Sequence, residues 1–225
     1  MIRVLIVDDE ILMRSGLQRI LDAEQDIDVP VTCDAQEAVG MVLRHRPDVV
    51  LLDLRMPVLD GLGVLGLLRA RPQPPVVAML TTFSADQDIA AALRAGAAGF
   101  LLKDTAPQEL ANAVRVLASG GTVLSPTVAT NVVNGYLTVR QPHPRLDRLT
   151  DREREVLSLL GAGLSNATIG RRLTMSAATA KDHVSSIYTK LGLTNRVQAA
   201  VVAHQSSLSS LDTAGPVGPV GPVGP

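Results

Sequence analysis

The sequence predicts an α/β fold built on a parallel sheet, followed by a smaller unit made only of helices. Short apolar runs rich in branched residues alternate with segments of helical length, a pattern typical of buried parallel strands joined by helices. A proline-broken polar stretch at 140–145 separates this pattern from a purely helical one. The charge also changes there. Residues 1–125 include 16 acidic and 11 basic residues, a net charge of −5. Residues 145–206 include 5 acidic and 9 basic residues, a net charge of +4.

The first unit contains five predicted strand-helix pairs. Strands are predicted at 2–7, 29–33, 49–52, 76–80 and 100–102, and helices at 12–21, 36–44, 62–69, 86–95 and 107–117. The helices carry apolar residues at spacings of three and four, such as Leu110, Val114 and Leu117. Pro30 removes a ladder donor from the second strand, so that strand should lie at an edge. An edge position for strand two favours the flavodoxin-like order 2-1-3-4-5.

Polar residues follow four of these apolar runs. They are Asp8, Asp9, Asp53, Thr81 and Lys103. Because the carboxyl ends of parallel strands share one edge of the sheet, we expect these side chains to meet in one crevice. Three crowded carboxylates suit a hard divalent cation with oxygen ligands, and the lysine and threonine would face an anion that the cation brings. The sequence therefore predicts an aspartyl phosphorylation site.

These motifs carry a family resemblance. They are Asp8-Asp9, Asp53 with Met56-Pro57 and Asp60-Gly61, Leu80-Thr81, and residues 99–103. Together they resemble the receiver domain of two-component response regulators over residues 1–120. The resemblance implies that Asp53 accepts a phosphoryl group from a phosphohistidine on a sensor histidine kinase. We interpret Asp60 as a turn or cap residue.

The same resemblance assigns further roles around Asp53. It implies that Mg²⁺ is held by Asp8, Asp9, Asp53 and the backbone carbonyl of Arg55. Lys103 would pair with a phosphoryl oxygen. Thr81 would swing toward the new phosphate, and Phe100 would be a rotameric switch. Transfer and slow autodephosphorylation would be self-catalysed, so the protein is not expected to be an enzyme in any other sense.

Three alternatives stand beside this interpretation. Haloacid-dehalogenase-like phosphatases also use a nucleophilic aspartate with Mg²⁺, but Leu54 and Arg55 after Asp53 do not match their Asp-x-Asp spacing. An atypical receiver controlled by a ligand or partner, independent of phosphorylation, is the second. The third alternative is that Thr82, and not Thr81, turns toward the phosphate. The two side chains point in opposite directions in a strand, and we prefer Thr81 because it directly follows the apolar run.

The second unit is predicted to contain four short helices. Residues 150–153 form a capping box in which Thr150 is the N-cap and Glu153 reaches back. Ser165 and Ser176 are expected to cap the second and third helices, and Thr194 the fourth. Two short helices meeting across the tight turn at 174–176 predict a helix-turn-helix.

Three strings in this unit, at residues 149–157, 163–166 and 190–196, closely resemble the LuxR-type DNA-binding domain. The match covers 146–205, and with the receiver the chain resembles a NarL/FixJ-family response regulator, a cytoplasmic bacterial transcription factor. The resemblance implies that residues 177–190 enter the major groove. The base-facing residues would be Lys181, Asp182 and Ser185, and the phosphate-binding residues Lys190 and Thr179. A carboxylate repels DNA phosphates. Asp182 is therefore expected either to accept a hydrogen bond from the amino group of a cytosine or to point away from the DNA.

So small a DNA-binding unit is expected to work as a homodimer. Val197, Ala200 and Val201 share a helical stripe and are the predicted dimer contact; alternatively, they complete the core of the unit. Besides a second copy, the expected partners are a sensor histidine kinase, double-stranded promoter DNA and RNA polymerase.

The predicted organisation is therefore a receiver at 1–120, a linker at 121–145 with a short helix at 127–137, a DNA-binding domain at 146–205, and a disordered Gly-Pro-Val tail at 206–225. No apolar run suggests a membrane span, and the start does not resemble a secretory signal. A single cysteine, Cys33, fits a reducing cytoplasm.

Overall fold

A six-stranded parallel sheet forms the centre of the first unit. The computed structural model describes residues 1–82, 86–125 and 146–206. The strands are β1 Ile2–Val7, β2 Ile27–Cys33, β3 Val49–Asp53, β4 Val76–Thr81, β5 Gly99–Leu102 and β6 Val123–Leu124. They lie in the order β2-β1-β3-β4-β5-β6, and every neighbouring pair is parallel. The predicted order 2-1-3-4-5 is confirmed.

Five helices cover the two faces of this sheet. They are α1 Ile11–Asp22, α2 Ala38–His45, α3 Gly61–Arg69, α4 Asp86–Ala95 and α5 Pro107–Ala118. Alternation along β1 sends Leu5 and Val7 into the core beneath α2, α3 and α4, whereas Val4 and Ile6 enter the core beneath α1 and α5. Burial on both faces explains why the strands read as continuous apolar runs.

Pro30 lies on the edge strand, as predicted. It is exposed on β2. The pairing of β1 with β2 shifts register there, since Arg3 lies opposite Asp28 but Leu5 lies opposite Val31. The extra residue forms a bulge that accommodates the missing N–H of the proline.

The prediction of only five strands was wrong by one short strand. Val123 and Leu124 pair in parallel with Gly99 and Phe100, so the sheet extends past residue 120 into the segment interpreted as linker. Two residues after Gly120-Gly121 are too few to show strand periodicity. The predicted linker helix at 127–137 and the Gly-Pro-Val tail from residue 207 lie outside the described residues.

The second unit is helical, with a 3₁₀ turn at Leu146–Arg148 followed by α6 Asp151–Gly161, α7 Asn166–Arg172, α8 Ala177–Leu191 and α9 Arg196–Gln205. The capping box at Thr150 and Glu153 is present, and Ser165 and Ser176 cap α7 and α8. The prediction that Thr194 caps α9 was wrong. Asn195 does so, because its Oδ1 accepts from the Gln198 N–H at 2.9 Å. None of the helices in the described part of the chain combines the length and the apolar character that a membrane span requires.

Candidate functional site

The carboxyl edge of the sheet gathers acidic side chains from two neighbouring strands. Asp8 follows β1 and Asp53 ends β3; both carboxylates are almost completely buried, whereas Asp9 is exposed. Carboxylate oxygens of the three residues lie within 4.8 Å of one another. Gly61 permits this packing, because a Cβ there would lie 2.2 Å from the carbonyl oxygen of Asp53. The sequence prediction that these three residues meet is confirmed.

Lys103 reaches into this cluster from the end of β5. Its ammonium lies 2.8 Å from Asp8 Oδ2 and 3.0 Å from Asp53 Oδ2, and its side chain is only 5% exposed. Glu10, which the sequence analysis did not single out, lies 3.7 Å from the same ammonium. Lys103 therefore holds two buried carboxylates together at the point where the predicted chemistry would occur.

The electrostatics of the cluster favour a further cation. Burial raises the pKa of Asp53 above its ordinary value, Lys103 opposes this rise, and the charge of Asp8 adds to it. Burial alone would lower the pKa of Lys103, but hydrogen bonds to Asp8 and Asp53 raise it, so the ammonium is charged at neutral pH. Three carboxylates against one ammonium leave an excess of negative charge. Hard oxygen ligands in this arrangement fit a Mg²⁺ ion.

The remaining predicted receiver residues surround Asp53. Thr81 is buried at the end of β4, and its carbonyl accepts from the Lys103 N–H at 2.9 Å, whereas Thr82 is exposed. Phe100 is fully buried on β5. The Arg55 backbone N–H donates to the Asp53 carboxylate, and the Arg55 guanidinium pairs with Asp88 on α4.

Asp60 is the N-cap of α3. Its side chain accepts from the Gly63 N–H at 2.8 Å. The interpretation of Asp60 as a turn or cap residue is therefore confirmed.

The predicted base-reading residues lie on the exposed side of α8. Lys181, Asp182 and Ser185 are exposed, and so is Thr179 in the first turn. The opposite side of α8 contributes to the apolar core of the second unit through Ala180, Val184, Ile187 and Leu191. In this arrangement α8 presents its polar side to solvent.

Lys190 has a partner that the sequence analysis did not foresee. Its ammonium lies 2.8 and 2.7 Å from the two carboxylate oxygens of Glu153, which is 4% exposed. Burial alone would raise the pKa of Glu153, but hydrogen bonds from Lys190, Ser186 and Thr150 lower it to about 2. The phosphate contact of Lys190 stays a prediction.

The N-terminus of α9 joins the second unit to the receiver. Asn195 Nδ2 donates to the carbonyl oxygens of Leu93 at 2.6 Å and Ala97 at 3.0 Å, next to the end of α4. From the receiver side, Arg69 donates to the Thr194 carbonyl at 2.6 Å. No local signal in the sequence marks these bonds, because they link residues about a hundred positions apart.

The predicted dimer stripe lies partly in this interface. Val197 is buried together with receiver residues, whereas Ala200 and Val201 are half-buried. The residues that α9 contributes to the core of its own unit are Ala199, Val202 and Ala203. The stripe thus lies beside that core, and its role in a dimer stays a prediction.

Comparison with known proteins assigns both units to families. Residues 4–115 match the response regulator receiver domain, and residues 147–203 match the LuxR family of bacterial regulatory proteins. The chain is 38% identical to the transcriptional regulatory protein LnrK of Bacillus subtilis over 93% of this chain and 99% of that one. It is 33% identical to the nitrate/nitrite response regulator NarL of Escherichia coli, over 91% and 96%.

A solved structure agrees with this assignment. The crystal structure of the response regulator ChrA, from a heme-sensing two-component system, is 37% identical and superposes with a TM-score of 0.51 over 92% of this chain and 98% of that one. The fold and site define a receiver joined to a DNA-binding domain. The chain belongs to the NarL-like response regulators, transcription regulators controlled by phosphorylation. This assignment sets aside the phosphatase alternative.

Proposed function

We propose that Asp53 is the phosphoacceptor and that its donor is a phosphohistidine on a sensor histidine kinase. The observation that carries this proposal is the buried Asp53 carboxylate, which shares the Lys103 ammonium with Asp8 in a cluster that fits one divalent cation. An Asp53 oxygen attacks phosphorus and forms the acyl phosphate. The phosphorus–nitrogen bond breaks, and its electron pair stays on the imidazole.

The residues around Asp53 would stabilise the charge of the phosphoryl group and hold that group in position. Asp8, Asp9, Asp53 and the Arg55 carbonyl would hold Mg²⁺, and the bound ion would supply positive charge that offsets the charge of the transferring group. Lys103, already in contact with Asp53, pairs with a phosphoryl oxygen in the product. The raised pKa of Asp53 makes this ammonium important, because only the ionised carboxylate is a nucleophile. Slow hydrolysis of the acyl phosphate by water resets the protein.

Thr81 and Phe100 are the proposed reporters of phosphorylation. Thr81 ends the strand next to β3, and its hydroxyl is proposed to turn toward a phosphoryl group on Asp53. Phe100 pairs with Met79 in the same part of the sheet and is buried in the core beneath α4. A change at Thr81 would be passed through this packing to α4.

The contact between the units supports a route from α4 to the DNA-binding domain. Asn195 binds carbonyl groups next to the end of α4, and this contact buries Val197 of the proposed dimer stripe. Lys181 and Ser185 on α8 stay exposed in the same arrangement. Phosphorylation is thus proposed to control dimerisation through α9, with α8 available to the major groove throughout.

The proposed DNA contacts follow from the exposed side of α8. Lys181, Asp182 and Ser185 would face base edges, and Thr179 and Lys190 would bind phosphates. Each copy presents one α8, so a homodimer would read two related half-sites. Promoter DNA in the cytoplasm is the target of this assembly, and RNA polymerase is the proposed further partner there.

Exposed apolar side chains near the acidic cluster support a protein as the phosphoryl donor. Leu12 and Ile11 at the start of α1 are 88% and 69% exposed, and Val58 in the loop after Asp53 is 91% exposed. Large exposed apolar side chains grouped at one edge are typical of an interaction surface. A kinase domain that brings its phosphohistidine to Asp53 would cover them.

The proposal is tested by phosphorylation with acetyl phosphate and with phosphorylated kinase, followed by intact mass. Wild type should gain one phosphoryl group in the presence of Mg²⁺, whereas Asp53→Asn and chelated wild type should gain none. Lys103→Ala should retain metal binding but lose the coupling of phosphorylation to dimerisation. Phosphate on Asp53→Asn would contradict the assignment, and DNA binding of the wild type that never responds to phosphorylation would favour the atypical receiver instead.

A further inference from the structure

The Glu153 carboxylate connects the first turn of α6 to the recognition helix α8. Oε1 accepts from Ser186 Oγ at 2.6 Å, and Lys190 Nζ reaches both carboxylate oxygens at 2.8 and 2.7 Å. Ser186 and Lys190 are four residues apart, so they lie on one ridge of α8, one turn above the other. A single buried carboxylate therefore binds side chains from two successive turns of α8.

The capping box fixes this carboxylate from the other end. The Thr150 backbone N–H donates to Glu153 Oε2 at 2.8 Å, and the Glu153 N–H donates to Thr150 Oγ1 at 3.3 Å. The side chain thus has partners on both sides and little freedom to move. A buried carboxylate with several hydrogen-bond partners of this kind favours one arrangement of the elements that it joins.

The rest of the packing of α8 is less directional. Ala180, Val184, Ile187 and Leu191 pack in the apolar core, and apolar burial tolerates small rolls or slides of a helix. Residues 186 and 190 form the ridge that Glu153 contacts, and residues 181 and 185 lie roughly 100–140° around the helix axis from Ser186. A roll of α8 would therefore turn Lys181 and Ser185 away from the base edges that they are placed to read.

We infer that Glu153 is a positioning residue for sequence recognition, setting the rotation of α8 through Ser186 and Lys190. The inference rests on the proposed DNA contacts of α8. It gives the capping-box glutamate a second role beyond starting α6. It also explains why the Lys190 ammonium is held at the domain surface, where its side chain is 34% exposed and a third N–H is available to a phosphate.

The test compares affinities of the full-length protein for two duplexes, one obtained by binding-site selection with the wild type and one with its sequence scrambled. Glu153→Gln keeps the size of the side chain but removes its charge. We expect the ratio of specific to non-specific affinity to fall roughly tenfold or more, the discrimination of about one base contact. The salt dependence should stay unchanged because Lys190 keeps its charge. Ser186→Ala should lower the ratio less, in the same direction.

A matched control separates positioning from simple loss of stability. Leu160→Ala opens a cavity in the core of the same unit without touching the Glu153 bonds. Its melting temperature should fall, yet its specificity ratio should stay that of the wild type. An unchanged ratio in Glu153→Gln, or an equal fall in Leu160→Ala, overturns the inference. A wild type without any sequence preference contradicts the proposed DNA contacts, and the inference with them.

Discussion

The substitution Asn195→Asp separates two roles of the Asn195 side chain, which caps α9 and also binds the receiver. Oδ1 of Asn195 caps α9, and Nδ2 donates to the Leu93 and Ala97 carbonyl oxygens of the receiver. Aspartate retains the capping oxygen. It replaces the amide donor with an oxygen that faces two carbonyl oxygens, so α9 should stay intact while the contact between the units is weakened.

The magnitude follows from the bonds removed. Asn195 is only 4% exposed, and each of its two hydrogen bonds to the receiver contributes about 0.5–1.5 kcal/mol net. Losing both shifts the equilibrium between closed and open arrangements by about 1–3 kcal/mol, or roughly 5- to 150-fold. Repulsion between the new carboxylate and the two carbonyl groups adds to this shift.

Small-angle X-ray scattering of the unphosphorylated protein measures the outcome. The radius of gyration of Asn195→Asp should rise above that of the wild type, with unchanged helical circular dichroism, and sedimentation should show more dimer as α9 is uncovered. Arg69→Gln is the matched control, since it removes the bond to the Thr194 carbonyl from the receiver side and leaves the DNA-binding domain unaltered. It should open the protein in the same direction. If both variants scatter like the wild type, this contact does not hold the units together in solution.

Four further predictions concern the DNA-binding domain. The pKa of Glu153 is about 2 in the folded protein against an ordinary 4.5, so its ion pair stabilises the fold fully above pH 4.5. The free energy of unfolding should therefore fall by about 3 kcal/mol as the pH is lowered from there toward 2. In urea unfolding, the free energy of Glu153→Gln should decline less over that interval, and parallel curves for the two proteins would contradict the prediction. Lys181→Ala should relax preference at one base pair of each half-site in binding-site selection, and uniform loss across sequences would mean that α8 is wrongly placed. Asp182→Ala should lose preference at an adjacent pair if Asp182 accepts from cytosine, or tighten binding everywhere if it only repels phosphates. Val201→Glu should abolish dimer-dependent DNA binding while the melting curve of the domain stays near that of the wild type, whereas unfolding would favour a role in the core.

Local patterns in the sequence were enough to predict most of the fold and the acidic site. Apolar runs ending at Asp8, Asp53 and Thr81 specify buried parallel strands, and parallel strands bring their carboxyl ends to one edge. Capping residues such as Thr150 act within three or four positions, so the starts of α6, α7 and α8 could be predicted from the sequence. These features depend on neighbours along the chain or on a rule that applies to every parallel sheet.

Other features were decided only by the tertiary structure. The pairing of Lys190 with Glu153, 37 positions away, is one of them, because nothing near Lys190 in the sequence marks that partner. Asn195, and not its neighbour Thr194, caps α9. The strand at Val123–Leu124 is too short to carry a pattern, and it forms because β5 offers an open edge.

The contact between the units shows the physical reason most clearly. Asn195 meets Leu93 and Ala97 through backbone carbonyl groups, which every residue possesses, so no side-chain pattern along the sequence encodes the pairing. The sequence by itself determined which residues form the strands, the acidic cluster and most helix starts, because periodicity and capping operate over a few residues. Only the folded chain determined which helix covers which surface, since directional bonds between distant residues form after the elements have packed.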